Sequence, residues 1–347
     1  MENTTIKRTR IKKITIKSNR DVFDIEVEKN NNFFANGILV HNCEISLKPN
    51  SFCNLTEVNV SNIESQQDLN DRVHAAAIIG TLQAAYTDFH YLRPVWQRTT
   101  EKDALLGISL NGIASKRIFD FDLKEAATVA RSINAATAGI LGIKQAARIT
   151  CVKPSGTSSL VLGTSSGIHA WHAPYYIRRL RVGKNEAIYS YLEHNHPELI
   201  EDEFFSPHDT AVIEVPQKAP GGSIFRSESA MEMLERIKYV NECWITPGHR
   251  KGMNHHNISA TVSIKPEEWE EVLNWMWDNR DCYNGISLLP YNGGNYTQPP
   301  FEECDEEIYN EKISSLTKID LKRVIEYSDE TDLKGEVACS GGMCEII

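Results

Sequence analysis

The stretch "HNCEISLKPNSFCNLTEV", residues 41–58, joins two unlike pieces of chain. Before it, residues 33–40 (Phe-Phe-Ala-Asn-Gly-Ile-Leu-Val) form a strand-like run, and after it an acid, Glu44, and a thiol, Cys53, stand in what reads as a loop entering a strand. Ordinary folding does not call for His-Asn-Cys at the end of a strand, but chemistry gives it a use. An asparagine amide can attack its own backbone carbonyl, close to a succinimide and cut the chain after itself. His41 is the residue type that protonates the departing amine, and Cys43 the type that receives an acyl group. The junction at Asn42 therefore divides a β-rich segment, residues 1–42, from a longer body with a different texture.

The body sets the class. At 347 residues the chain is long enough for two or more domains. Its 41% apolar and 24% charged content is that of a soluble globular protein. No apolar run approaches the ~18 residues of a membrane span, and the first residues lack an apolar signal core, so a cytoplasmic protein with no membrane partner is expected. A net charge of −10 argues against general nucleic-acid binding. Residues 7–20 are the exception, with Lys7, Arg8, Arg10, Lys12, Lys13, Lys17 and Arg20. They read either as a solvated or nucleic-acid-binding tail or as a strand built to meet an acidic partner chain. Eight cysteines in a chain of this size do not form a secreted disulfide framework. Cys151, Cys243 and Cys282 sit in apolar or mixed runs and read as buried structural thiols. Cys304 has no evident role, while Cys43, Cys53, Cys339 and Cys344 each have a chemically suggestive neighbourhood.

Short β-branched runs in residues 1–42 predict strands with polar turns. From residue 66 the period changes: Leu69, Val73, Ala76, Ala77, Gly80, Ala84 and Phe89 recur at helical spacing, and "LKEAATVARSINAATAGILGI" predicts a second long helix. Short apolar strands ("LGISLNG", "ARITCVKP", "TAVIEVP", "HNISATVSI", "NGISLLP") alternate with helices, among them "PEEWEEVLNWMWDNRD", for which Ser263 and Pro266 mark an entry. No repeat of fixed period is present. The alternation predicts an α/β architecture with sites at the carboxyl ends of the strands. The polar, glycine-bearing last twenty residues read as a mobile tail.

Residues 20–43, "VFDIEVEKNNNFFANGILVHN" and the cysteine after it, resemble the carboxyl-terminal splice junction of an intein. They depart from it where Asn31 replaces the histidine that often precedes the Asn-Phe pair. Some forty residues cannot hold the first nucleophile of an intein, so the resemblance is to the short half of a split intein. It implies splicing roles for His41, Asn42 and Cys43, a small all-β fold for residues 1–42, and a partner carrying the other half.

Three downstream features, in order, resemble the carboxyl-terminal half of a ribonucleotide reductase, nearest the adenosylcobalamin-dependent, monomeric triphosphate type: "CEISLKPNSFC", "KPSGTSS" at 153–159, and "ACSGGMCEII" at the end. The family's loop reads Asn-Pro-Cys-x-Glu-Ile, with a second cysteine nine residues after the glutamate. Glu44 matches that glutamate and Cys53 that cysteine. The resemblance puts the radical-bearing cysteine immediately before Cys43, on another polypeptide. It implies that a thiyl radical takes hydrogen from the ribose 3′ carbon, that Glu44 removes the 3′-hydroxyl proton, and that Cys53 is one of two reducing thiols. Cys339 and Cys344 would return those thiols to the reduced state by exchange. A zinc site is the rival for this last pair, but no two further ligands are spaced for it, and no metal is expected.

"ITCVKPSGTSS" reads as strand, tight turn and helix start, where amides and small hydroxyls suit phosphate. It lacks the Gly-Lys-Ser/Thr order of a P-loop, and a plain capped turn is the alternative. The resemblance assigns Pro154, Ser155, Gly156, Thr157 and Ser158 to substrate phosphates. No role follows for Tyr175, Tyr176, Arg178 or Arg179. His169, His172, His255 and His256 read as loop histidines rather than metal ligands. The implied architecture is residues 43–330 as the second half of a ten-stranded α/β barrel, with residues 331–347 as a redox-shuttle tail. Adenosylcobalamin would be the cofactor of the completed enzyme, and a thioredoxin-like reductant and a ribonucleotide its other partners. A diphosphate-type reductase, or a chain whose own activity is splicing alone, are the alternatives.

Overall fold

The structure, a computed structural model, describes residues 45–252, 254–291 and 297–326, together with the backbone of residues 32–35 and 38–41. In chain order its strands are β1 (Asn32–Ala35), β2 (Ile38–His41), β3 (Asn54–Asn59), β4 (Leu106–Asn111), β5 (Tyr175–Gly183), β6 (Ile200–Asp202), β7 (Thr210–Lys218), β8 (Thr261–Ile264), β9 (Ser287–Pro290) and β10 (Phe301–Glu303). The helices are α1 (Gln66–Ala84), α2 (Pro94–Asp103), α3 (Leu123–Leu141), α4 (Gly156–Val161), α5 (Ala187–Asn195), α6 (Ala230–Val240), α7 (Thr246–Gly248), α8 (Trp269–Asp278) and α9 (Glu306–Ser315).

The architecture rests on a parallel run. β3 and β4 pair in parallel, with Leu55 opposite Gly107 and Glu57 opposite Ser109. Residues 148–152 join the far side of β4, Leu106 N–H donating to Arg148 O at 3.1 Å and Cys151 N–H to Ile108 O at 3.0 Å. The next segment joins in turn, as Val152 N–H donates to Asn257 O (3.2 Å) and Ser259 N–H to Val152 O (2.8 Å). That segment continues into β8, which pairs in parallel with β9. Neighbours in space are therefore neighbours in sequence, and helices fill the connections, as parallel pairing requires.

Alternation along each strand sorts the side chains onto two faces. Val58, Leu106, Ile108 and Leu110 join the main core with Leu69, Val73 and Ala77 of α1 and Ala126, Ala127 and Ala130 of α3. Leu55 and Leu105 instead join a small cluster on the other face with Ile45, Ala147 and Cys151. Local signals fix the helices. The Ser65 and Asp122 side chains cap α1 and α3, and Gly142, at φ 69°, ends α3. Ser229 and Glu232 form a capping box on α6. Asn134 of α3 donates to Thr81 Oγ1 of α1 at 3.0 Å, tying the two long helices together inside the core.

A separate antiparallel sheet, ordered β10-β5-β7-β6, takes β5, β6 and β7 from the chain between the third and fourth segments of the parallel run and β10 from the chain after β9. Arg179 pins it, pairing with Glu214 at 2.7 Å and with Glu302 of β10, while Lys312 of α9 holds Glu214 from the other side at 2.6 Å.

Several expectations are corrected. In place of one strand over residues 33–40 there are two antiparallel strands, Asn32–Ala35 and Ile38–His41, with Ala35 opposite Ile38. Asn36-Gly37 stands between them, the pair most suited to a two-residue hairpin. Phe89 lies beyond α1, which ends at Ala84. Ser263 belongs to β8, where it is exposed between buried Val262 and Ile264, and α8 starts only at Trp269. "ARITCVKP" makes bridges rather than a full ladder. Cys243 and Cys282 are half-buried, unlike Cys151, since they sit at the end of α6 and just past α8 rather than inside the sheet. Residues 1–31 and the expected tail, 331–347, lie outside the described residues.

Candidate functional site

The face of the parallel run opposite the helices carries the chemistry. Cys53 is half-buried immediately before β3 and packs against the cluster of Ile45, Leu105, Ala147 and Cys151. Two and four residues on, Leu55 and Glu57 share its face, so Glu57 lies about 13 Å farther along the strand at ~3.3 Å per residue. Gly107 lets these groups meet. A Cβ there would stand 2.5 Å from Leu55 Cδ2, 2.6 Å from Ile45 Cδ1 and 3.1 Å from the Cys151 sulfur.

A polar knot closes the carboxyl end of the run. Glu57 pairs with Lys153 Nζ at 2.5 Å and accepts from Asn111 Nδ2 at 2.5 Å. Asn111, fully buried, accepts in turn from Gly167 N–H at 3.0 Å, and Ser109 Oγ accepts from Lys153 N–H at 2.9 Å. Burial pushes the Glu57 carboxyl up, but the Lys153 hydrogen bond and charge outweigh it and hold the group below its ordinary 4.5. Glu57 is thus a fixed, neutralised anion.

Beside this pair the loop from Lys153 turns into α4. Ser155 N–H donates to Ser166 Oγ at 2.8 Å. The Ser155 hydroxyl adds a hydrogen bond to Glu57, while among the described residues the buried hydroxyls of Thr164 and Ser165 have no hydrogen-bond partner, an arrangement that native interiors avoid unless something else supplies one. Gly112, at φ 86°, and Gly167, at φ 52°, bring the backbones close, since a Cβ would fall 2.2 Å from Thr164 Oγ1 and 2.4 Å from Lys153 O.

The loop behind Cys43 is held from both sides at Ser46. Its N–H donates to Nδ1 of buried His256 at 3.1 Å, and its carbonyl accepts from Arg148 Nη1 at 3.4 Å. The other ring nitrogen of His256, Nε2, reaches Leu106 O at 2.7 Å, so the ring is a neutral Nε2–H tautomer linking loop to strand. Burial, with Arg148 and two histidines nearby, drives its pKa down to about 3. His169 does similar work, accepting from Thr261 N–H at 3.1 Å and lying 3.2 Å from Ser166 O, and burial lowers it to about 4. His172 stacks on Phe301, and Arg178 lies over the same ring.

Of the residues singled out by sequence, Cys53 reaches the shared face. Ser155 is buried just before α4, Gly156 and Ser158 are half-buried in it, and Pro154 and Thr157 are exposed. The backbone of His41 ends β2. Asn42, Cys43, Glu44, Cys339 and Cys344 lie outside the described residues. Sequence reasoning missed Glu57, Ser109, Asn111 and Lys153. The signal was available in "TEVN" and "ISLN", where polar residues two apart interrupt otherwise apolar strands. Among the described residues no group of three or more metal-ligating side chains gathers, and no helix is long and apolar enough to cross a membrane.

No family model matches the chain. It is 25% identical to an adenosylcobalamin-dependent ribonucleoside-triphosphate reductase of Levilactobacillus brevis over 346 residues, covering 87% of this chain. A reductase of the same description from Euglena gracilis is 26% identical, again over 87% of the chain. The chain is a distant homologue of these reductases. The crystal structure of a B12-dependent (class II) ribonucleotide reductase shares the fold over 81% of the chain, with a TM-score of 0.66 at 21% identity. This homologue spans less than half of the proteins it matches: 44% of the Levilactobacillus enzyme, 41% of the Euglena enzyme and 42% of the solved chain.

Proposed function

We propose that the chain is the carboxyl-terminal part of an adenosylcobalamin-dependent ribonucleotide reductase, made competent when protein splicing joins Cys43 to an amino-terminal part. One observation carries this reading: homology covers 87% of the chain but 44% of the relative, and the matched body begins its parallel run with Cys53 on the face opposite the helices. The five parallel segments are then one side of a ten-stranded α/β barrel. Among the described residues β3 bonds to β4 alone and β9 to β8 alone in their sheets, which leaves ladders for the missing strands to continue. The relatives' triphosphate specificity supports a triphosphate substrate over a diphosphate.

In this reading Glu44 takes the 3′-hydroxyl proton while the 2′-hydroxyl leaves as water. Cys53 and a second thiol on the amino-terminal part supply two electrons and two protons and close as a disulfide. Cys339 and Cys344 reopen it by exchange, becoming the disulfide themselves, and a thioredoxin-like reductant restores them. Residues 154–158 hold the substrate phosphates, a role supported by the turn from Lys153 into α4 and by the Thr164 and Ser165 hydroxyls beside it, which lack a hydrogen-bond partner among the described residues. Ser46, clamped by His256 and Arg148, anchors the loop two residues from Glu44.

Adenosylcobalamin, when bound, supplies the radical. The described residues do not by themselves fit a corrin: the cleft discussed below is ringed by basic side chains, which suit phosphate rather than a largely apolar macrocycle. The cofactor's seat belongs to the assembled enzyme.

Residues 1–42 act as the short half of a split intein, and the hairpin of β1 and β2 leading to His41 supports this. The test mixes the purified chain with a precursor that ends in the matching intein half and follows intact masses. Loss of residues 1–42 with a new bond at Cys43, blocked by Asn42→Ala, is the expected result. Unchanged masses would sink the splicing reading. A ligated product that reduces no nucleotide with cobalamin present would leave splicing as the chain's own activity.

A further inference from the structure

At the amino-terminal end of the parallel run, opposite the knot around Glu57, an open cleft of about 710 Å³ is lined by Lys48, Lys102, Lys144, Arg148, Arg250 and Lys251, with Asp103 the one carboxylate. A chain with a net charge of −10 thus gathers six cations around a single pocket. Asp103 is buried and answers Lys48 at 2.9 Å. The two guanidiniums are braced on the main chain. Arg250 donates from Nε to Ala146 O (2.8 Å) and from Nη2 to Gln145 O (2.7 Å), and Arg148 holds Ser46 O and Asn254 O. Lys102, Lys144 and Lys251 are exposed, and among the described residues no side-chain hydrogen bond or ion pair engages their ammoniums.

We propose that this cleft is a binding site for a polyphosphate, separate from the phosphate site of residues 154–158. A concavity lined by one sign of charge focuses field and concentrates counter-ions, and its volume falls in the range of small-molecule pockets, ~300–1,000 Å³. The chemistry favours phosphate over carboxylate. Both arginines spend donors on backbone carbonyls, so the groups left to meet a ligand are mostly ammoniums, which bind phosphate as point charges rather than gripping carboxylate in a planar fork. The site also touches the loop that leads back to Cys43, because Lys48 lines it and Arg148 joins it to Ser46. A bound polyphosphate therefore fixes the loop from beneath.

The proposal rests on the cleft and stands whether or not the chain splices. The test uses the full chain with inorganic tripolyphosphate in low salt, read by calorimetry and by amine acylation with mass mapping. Tripolyphosphate is expected to protect Lys102, Lys144 and Lys251, leaving exposed Lys124 and Lys318 reactive. The double variant Lys144→Glu/Lys251→Glu is expected to weaken binding by at least about tenfold, since each charge-assisted contact is worth that much, with an unchanged circular dichroism spectrum. A nucleoside triphosphate run in parallel tells whether a base is read as well; tighter binding that still protects the three lysines supports the site. No protection at these lysines, or equal binding by the double variant, overturns the proposal. Protection already present without added phosphate, and lost when residues 327–347 are removed, would also overturn it by giving the cleft to an acidic peptide segment.

Discussion

The two ends of the parallel run treat charge in opposite ways. At the carboxyl end Glu57 and Lys153 neutralise each other within a buried net of Asn111 and Ser109, and only hydroxyls remain unanswered. At the amino end one carboxylate faces six cations, and the surplus stands in open solvent. The first arrangement is part of the fold, since breaking it strands a buried charge. In the second, Arg148, Arg250 and the Lys48–Asp103 pair brace the fold, but the exposed Lys102, Lys144 and Lys251 add nothing to it and so require another reason to exist. Substitutions at the two ends should therefore move stability in opposite directions.

The largest effect is expected at the carboxyl end. Lys153→Met leaves Glu57, whose side chain is 13% exposed, without its counter-charge. Removing one partner of a buried pair costs ~3–5 kcal/mol, and with Lys153 itself partly exposed a loss of about 3 kcal/mol in denaturant unfolding is expected. A loss below about 0.5 kcal/mol, the range of ordinary surface changes, would break the comparison, because Glu57 would then be no more structural than the lysines of the cleft.

Next is the packing between the ends. Gly107→Ala places a methyl 2.5–2.6 Å from Leu55 and Ile45 side chains and 3.1 Å from Cys151. Overpacking of this kind costs ~1–3 kcal/mol, and the displaced groups are those that carry Cys53 and the Ser46 loop. A ligated enzyme with this change should lose turnover beyond its loss of stability. Equal activity at matched folded fraction would show that the small cluster does not position the thiol.

The contrast also bears on what could be read from sequence. The alternation of helix and strand, both long helices and the turn into α4 were legible because each rests on local periodicity and caps. The splice junction proposed at Asn42 and Cys43 rests on adjacent residues alone, and both lie outside the described residues. Glu57, Asn111 and Lys153 were not legible, since the knot draws them from three separate segments. The linking role of His256 was missed for the same reason: its partners are Ser46, 210 residues away, and Leu106, 150 away. The antiparallel insertion was missed because Arg178, Arg179 and Arg181 make β5 look like a charged surface run, whereas Arg179 is paired within its sheet.

Acid should sharpen the distinction. His256 and His169 are held neutral, at about 3 and about 4, against 6.5 when unfolded. A depressed folded value means that the unfolded chain takes the proton first. The stability each contributes is complete above pH 6.5 and declines as pH falls toward the folded value. Each costs about 1.4 kcal/mol per pH unit in that window. Glu57, also depressed, adds its loss only below 4.5. His256→Gln should flatten the upper part of the curve while lowering stability at neutral pH. An unaltered pH slope would mean that His256 takes up protons in the folded state and does not hold Ser46 as a neutral ring.

The smallest effect has the opposite sign, and that makes it the more telling one. Lys144→Met removes one exposed cation from a cleft that has five others and a single acid. In solvent the repulsion relieved is modest, so a gain of a few tenths of a kcal/mol is expected at low ionic strength, shrinking as salt is added because the Debye length falls to ~8 Å at physiological strength. The same change should lower affinity for tripolyphosphate. Stability gained while binding is lost is the pattern of a charge kept for a ligand. If Lys144→Met instead destabilised the chain by 1 kcal/mol or more, beyond the ~0.5 kcal/mol expected of a surface change, the ammonium would have a structural partner. The amino end would then be a second version of the knot at Glu57 rather than its opposite.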